Sequence, residues 1–156
     1  MDFADLNYYL DVNGLSKHLG VAEGLPQNFK YNESNPGLGI TAESVNNRLI
    51  KALMAGRYQN SFGTPSYYAG GSLAKRFGND YYIDLGVFGG AATGYKDVKG
   101  HHNGNTYSFP EYKAIQPMAG LMTNIGTKDL GRLGIKYIPK SRVSPALLMM
   151  NLGIPF

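Results

Sequence analysis

The segment SPALLMMNLGIPF, residues 144–156, decides how this chain is read. Ala146, Leu148, Met150, Leu152, Ile154 and Phe156 are apolar and occupy every second position, so a pleated strand puts all six on one face. The same rhythm appears upstream. Over 81–95, Tyr81, Ile83, Leu85, Val87, Gly89 and Ala91 alternate with Asp84, Gly86, Gly90 and Gly94. Over 48–60 the apolar set is Ile50, Ala52, Met54, Gly56 and Tyr58, with Lys51 and Arg57 opposite. Over 6–19, Leu6, Tyr8, Leu10 and Val12 oppose Asn7, Asp11, Asn13 and Lys17. Residues 112–125 alternate less cleanly, and Pro117 requires a position where no ladder donor is needed.

With 37–44, 65–77 and 130–139, these segments make eight strands, an even number, each near the roughly 9 to 11 residues a tilted strand needs to cross hydrocarbon. The connections at 20–36 and 96–111 are long, and those at 61–64 and 140–143 intermediate. Those at 45–47, Gly78-Asn79-Asp80 and Gly126-Thr127-Lys128-Asp129 are short. Long loops thus gather at one end and tight turns at the other. The expectation is an all-β chain: one domain over 1–156, a single eight-stranded antiparallel up-and-down barrel of transmembrane type. A last strand closing on Phe156 resembles the assembly signal of outer-membrane barrels. The competing arrangement is a soluble, lipocalin-like ligand-binding barrel with its apolar set inside. Apolar residues outward is the expected sense because the opposite face carries Asp11, Lys51, Arg57, Asp84 and Lys136 with many glycines, and tyrosines recur near strand ends. The lack of tryptophan weighs the other way, since membrane girdles usually contain it.

Composition narrows the classes further. Charged residues are 17% and hydrophobic residues 43%, suiting neither a disordered chain nor a bundle of lipid-buried helices. There is no cysteine, so neither disulfides nor thiolate metal ligands are available. A net charge of +4 with scattered Lys and Arg excludes a nucleic-acid reader. Met1-Asp2-Phe3-Ala4-Asp5 is not a signal peptide, so an outer-membrane location implies that the signal is absent from this chain.

No metal site is expected: His101 and His102 are adjacent in a Gly/Asn-rich loop, and His18 stands alone on its strand. Gly37-x-Gly39 and Gly86-x-x-Gly89-Gly90 open no helix, so no nucleotide or other cofactor is expected. What remains is a rim group. His18 at the top of the first strand, with Asn60 and Ser61 where the third enters its loop, supplies a base, an orienting amide and a hydroxyl, the parts of an acyl-transfer site.

The order of these features resembles the lipid A palmitoyltransferases, small outer-membrane barrels that move a palmitoyl chain from phospholipid to lipopolysaccharide. Tyr31-Asn32-Glu33 followed by Pro36-Gly37-Leu38-Gly39, Gln59-Asn60-Ser61-Phe62 followed by Pro65 and Ala69-Gly70-Gly71, and Tyr137-Ile138-Pro139 are similar to stretches of that family. The family's first-strand histidine falls on His18. The resemblance implies catalysis by His18 and Ser61, with Asn60 orienting the imidazole or donating to the oxyanion. It also implies substrate contacts from Tyr31, Asn32, Glu33 and Arg57, and room for an acyl chain at Gly86 and Gly90. Phospholipid and lipopolysaccharide are the implied partners of a monomer. Asn60 stands where the family has aspartate, which favours a second expectation: a non-catalytic surface, receptor or host-modifying barrel that keeps the frame.

Overall fold

The computed structural model describes residues 6–23, 25–109, 113–141 and 144–156. Ten strands are formed: β1 (Leu6–Leu19), β2 (Ser34–Asn46), β3 (Leu49–Gln59), β4 (Pro65–Gly78), β5 (Tyr81–Thr93), β6 (Lys99–His102), β7 (Asn105–Ser108), β8 (Ile115–Thr127), β9 (Gly131–Ile138) and β10 (Ala146–Pro155). Eight close a barrel in the order β1-β10-β9-β8-β5-β4-β3-β2, and among the described residues β6 pairs only with β7. Every pairing is antiparallel, as expected of an up-and-down barrel. The expected strands all form. The expected start of the sixth at residue 112 and the end of the 140–143 loop lie outside the described residues.

The apolar set faces outward. Leu38, Leu53, Leu121 and Leu152 are each more than half exposed, whereas Glu43 and Asp84 are no more than 1% exposed. A soluble barrel has the reverse arrangement, and so the lipocalin-like alternative falls. Tyr8, Phe77, Tyr81 and Phe156 ring the short-turn end, the place aromatic residues take at a membrane boundary.

Two sequence readings of face are corrected. In β3 the expected apolar set, Ile50, Ala52, Met54, Gly56 and Tyr58, points into the lumen: Ile50 is 2% exposed and Tyr58 6%. Lys51 and Arg57, expected inside, point out beside Leu53. Both faces of β3 are largely apolar, so alternation alone did not fix its sense. In β1 the register slips between Asn13 and Leu15, around Gly14, so parity inverts there. Lys17, expected in the lumen, is therefore outside and His18 inside.

A barrel of eight strands is just wide enough for side chains or one small ligand, and here side chains occupy much of it. In the half near the short turns, Arg76 forks onto Asp84 at 2.8 and 3.0 Å and reaches Glu43 at 3.1 Å, and Arg132 pairs with the same Glu43. Asn151 donates to Asp11 at 3.0 Å. The guanidinium of Arg76 lies 3.8 Å over Tyr82, and that of Arg132 lies 3.9 Å over Tyr9. Toward the loop end the filling changes to Met54, Tyr58, Tyr68, Phe88, Met118 and Met149 around a cavity of about 30 Å³. Tyr68 lies across β2 and β3, where a Cβ on Gly39 would sit 2.1 Å from its hydroxyl and one on Gly56 2.7 Å from its ring. These two glycines make room for that phenol.

The segment expected as an irregular loop over 96–111 contains the β6–β7 hairpin. Its turn is Asn103-Gly104, both with positive φ (49° and 77°), the backbone shape that Asn-Gly favours. The hairpin helps to build a second apolar core outside the barrel. Phe29, Val98 and Phe109 are buried together, with Val21, Leu25, Tyr31, Phe62, Tyr95 and Tyr107 packed around them. The loops thus form a packed cap.

Candidate functional site

The rim group is partly assembled. With the parity of β1 inverted, the His18 ring turns into the loop-end mouth and stacks on Tyr31, with ring centres 4.0 Å apart and planes 15° from parallel. Tyr31 accepts a hydrogen bond from the backbone N–H of Ala22 at 3.0 Å, and burial raises its phenol above the ordinary tyrosine range. His18 Nδ1 is buried without a hydrogen-bond partner among the described residues. His18, Tyr31 and Ser61 line one cavity of about 110 Å³ with Tyr95, Met118 and Leu147. It extends to Gln116, Pro117, Ile138 and Pro139, where the wall is open: pairing of β8 with β9 runs only from Leu121↔Tyr137 to Thr127↔Gly131. Pro117 lies above that ladder, as its missing donor requires.

Asn60 does not join them. It is fully buried, and its side chain ties the 60–64 turn to Ser66 and Gly94. Its Nδ2 donates to Gly94 O at 2.8 Å and Ser66 Oγ at 3.1 Å, and its Oδ1 accepts from the N–H groups of Phe62 and Thr64 at 2.9 and 3.0 Å. An amide with all four bonds made has nothing left for an imidazole or an oxyanion. The side chain thus has no donor or acceptor left over for the expected role, and the Gly94 carbonyl, which now accepts from its amide, would repel a carboxylate.

Tyr31, Asn32 and Glu33 anchor the first long loop. Asn32 donates its N–H to Ser61 O at 3.0 Å and accepts from Ser34 N at 3.1 Å. Glu33 pairs with Lys17 at 3.1 Å on the outer rim, and its carbonyl accepts from Ser16 N at 2.9 Å. Arg57 lies elsewhere, on the outer wall, at a groove of about 540 Å³ lined by Val12, Pro36, Leu38, Tyr58 and Pro65.

Gly86 and Gly90 face the lumen, and Gly90 lines its small cavity beside Tyr68 and Phe88. A Cβ on Gly86 would meet Leu73 O at 2.2 Å, and one on Gly90 would meet Ala69 O at 2.4 Å. They serve the close approach of β4 to β5.

No protein-family profile matches the chain, and no curated protein matches it. Among solved structures it resembles neisserial surface protein A, with a TM-score of 0.52 at 15% identity over 97% of this chain and 96% of that one. It also aligns with Ail, the attachment invasion locus protein of Yersinia pestis, at 12% identity over 97% of each chain, with a TM-score of 0.46. The same outer membrane protein in phospholipid bilayer nanodiscs gives 0.47 over 97% of this chain and all of that one, again at 12% identity. The shared feature is the fold, a small closed barrel of the kind found in outer membranes.

The cap was the feature least visible in the sequence. Its signal was present in Asn103-Gly104 between two short polar-aromatic runs, and in the spacing of Phe29, Tyr31, Tyr107 and Phe109 within segments otherwise rich in glycine and asparagine. Among the described residues of the loop end, Lys30, Lys96, Lys99, Lys113 and Lys140 are exposed, against Glu23 and Asp97.

Proposed function

We propose that the protein is a non-catalytic outer-membrane barrel that holds a packed, basic loop cap at the cell surface as a contact element. The observation that carries this reading is the filled lumen. The cavity between Met54, Tyr68, Phe88 and Met149 measures about 30 Å³, room for a water or two, against the roughly 300 Å³ or more that a drug-sized ligand occupies. A lumen filled to this degree favours a barrel that neither conducts solutes nor stores an acyl chain. What it offers is its two ends and its wall. The cap has its own apolar core, so its surface is preorganised, which lowers the ordering cost of binding. Five exposed lysines favour an anionic partner. In the membrane the partners are phospholipid on the short-turn side and lipopolysaccharide on the loop side, where Arg57 meets headgroup phosphates; the barrel acts as a monomer. The test is surface proteolysis and antibody access in intact cells. The cap epitopes should be reached from outside and should stay resistant to protease, whereas a cap cleaved as readily as an unfolded peptide defeats the reading.

One observation favours the acyltransferase reading as a second possibility: His18 and Ser61 share a cavity that reaches the wall where β8 and β9 part. The purified barrel, given phospholipid with labelled palmitate and lipopolysaccharide in several detergents, separates the two. Transfer that disappears in Ser61→Ala establishes the enzyme, and silence in the unaltered protein removes it.

A further inference from the structure

The lipid-facing wall has an uneven charge. Of the side chains that the eight barrel strands turn outward, Lys17, Lys51, Arg57 and Lys75 are charged and none is a carboxylate. Lys17 is paired with Glu33 at the rim. The other three sit on the adjacent strands β3 and β4, while β5, β8, β9 and β10 turn no charge outward. Arg57 is near the loop end; Lys51 and Lys75 are together near the short turns.

The register sets the geometry of that pair. Lys51 lies opposite Leu73, and Lys75 opposite Leu49, so the two lysines are diagonal neighbours across one strand pair, with Cβ atoms about 7 Å apart. The ladder beneath them is continuous from Leu49↔Lys75 to Gln59↔Pro65, and Arg76 N donates to Arg48 O at 2.8 Å beside the turn. Their stems therefore rise from a rigid surface. Around them are the exposed side chains of Leu49, Leu53, Leu73 and Leu85. Lys75 Nζ lies 5.8 Å over the ring of Phe77, two residues nearer the turn, so its ammonium leans toward the membrane boundary. Neither lysine forms an ion pair among the described residues.

An ammonium is costly in hydrocarbon and reaches for headgroups. Two that rise from neighbouring strands, with no carboxylate between them, converge on one anion. We infer that Lys51 and Lys75 form a docking site on the outer wall for the phosphate of an anionic phospholipid, phosphatidylglycerol being the simplest, in the leaflet beside the short turns. The charge count selects the lipid. Two ammonium groups against one phosphate leave one positive charge, which a choline or ethanolamine headgroup would oppose and a glycerol headgroup does not. The inference rests on the reading of the barrel as membrane-spanning.

The test is native mass spectrometry of the full chain folded in detergent with equal amounts of phosphatidylglycerol and phosphatidylcholine. The unaltered barrel should keep phosphatidylglycerol in preference. Lys51→Gln or Lys75→Gln should each weaken its retention about fivefold, and the double change should abolish the preference. Lys51→Arg with Lys75→Arg should keep it, as should Lys128→Gln in the turn between β8 and β9. Equal retention of the two lipids by the unaltered barrel, or an undiminished preference in the folded double glutamine variant, overturns the site. Should the glutamine variants not fold, the lipid comparison on the unaltered and arginine forms decides. Failure of the membrane reading looks different: the unaltered chain would stay soluble without detergent.

Discussion

Arg132 of β9 and Glu43 of β2 stand 89 residues apart in the chain and form an ion pair inside the barrel, with both side chains no more than 5% exposed. Glu43 also accepts Arg76, so one carboxylate bridges two guanidinium groups from different strands, with Asp84 supplying the second negative charge. Removing one partner of a buried pair leaves the others desolvated and uncompensated, which typically costs about 3–5 kcal/mol. Glu43→Gln is expected to lower the folding stability of the barrel in liposomes by roughly that amount, read as an earlier urea midpoint. Asp84 still holds Arg76 by two bonds, so the loss should fall mainly on Arg132, and Glu43→Gln with Arg132→Met should recover most of it. A glutamine variant as stable as the parent would show that the lumen is wet enough to solvate Arg132.

Asn60 gives the clearest separation between a catalytic and a structural residue. A carboxylate at this position would face Gly94 O and Ser66 Oγ, where the amide now donates. Asn60→Asp is therefore expected to destabilise the rim by about 1–3 kcal/mol and to bring no acyl transfer with it. Hydrogen exchange of the Phe62 and Thr64 amides, which donate to Oδ1, reports the rim. Gain of transfer activity in Asn60→Asp would restore Asn60 to the site.

The cap should open independently of the barrel, because its core is formed by the loops and the β6–β7 hairpin and not by the barrel strands. Phe29→Ala removes the ring that meets Tyr31, Tyr107 and Phe109 at 5.0 to 6.2 Å, and buried Phe→Ala changes cost about 3–5 kcal/mol. Protease should then cut within 20–33 or 94–109 while heat-modifiable gel mobility is kept. High pH acts in the same direction. The Tyr31 phenol is raised above its unfolded value, so its contribution to cap stability is complete below about pH 10 and is lost as pH rises through the folded value. Tyr31→Phe should move that alkaline loosening to higher pH. A cap whose cleavage tracks global unfolding would show a single cooperative unit instead.

Strand count, closure and the outward sense of the wall were legible because strands such as β5 and β10 alternate against a partner face of different chemistry. Asp84 between Ile83 and Leu85 leaves β5 one possible orientation. In β3, Ile50, Ala52 and Tyr58 on one face compete with Leu49, Leu53 and Ala55 on the other, and the lumen took the set whose Met54 and Tyr58 share a cavity with Phe88 and Met118. Lys17 was misplaced for a different reason: a slip at Gly14 shifts parity without altering composition, and one glycine among 21 does not announce it. The rim site was half legible. Residue type placed His18 and Ser61 at one mouth, but the bonds that consume Asn60 depend on where Ser66 and Gly94 arrive, which only the closed barrel determines.

The inverted face of β3 can be tested directly, since the chain has no cysteine and single ones can be placed at will. Leu53 is 56% exposed at the middle of β3, and its neighbour Ala52 is 6% exposed in the lumen. In lipid, a basic residue at the bilayer midplane of a barrel wall costs about 2–4 kcal/mol. Leu53→Arg is therefore expected to destabilise the folded barrel in liposomes by that range, whereas Leu49→Arg, beside the short turn, should cost no more than about 1 kcal/mol. A nitroxide on Leu53→Cys should relax with dissolved oxygen from the acyl region, and one on Ala52→Cys should not. Were Ala52 the oxygen-exposed position, Lys51 and Arg57 would return to the lumen, and the cationic flank on β3 and β4 would no longer face lipid.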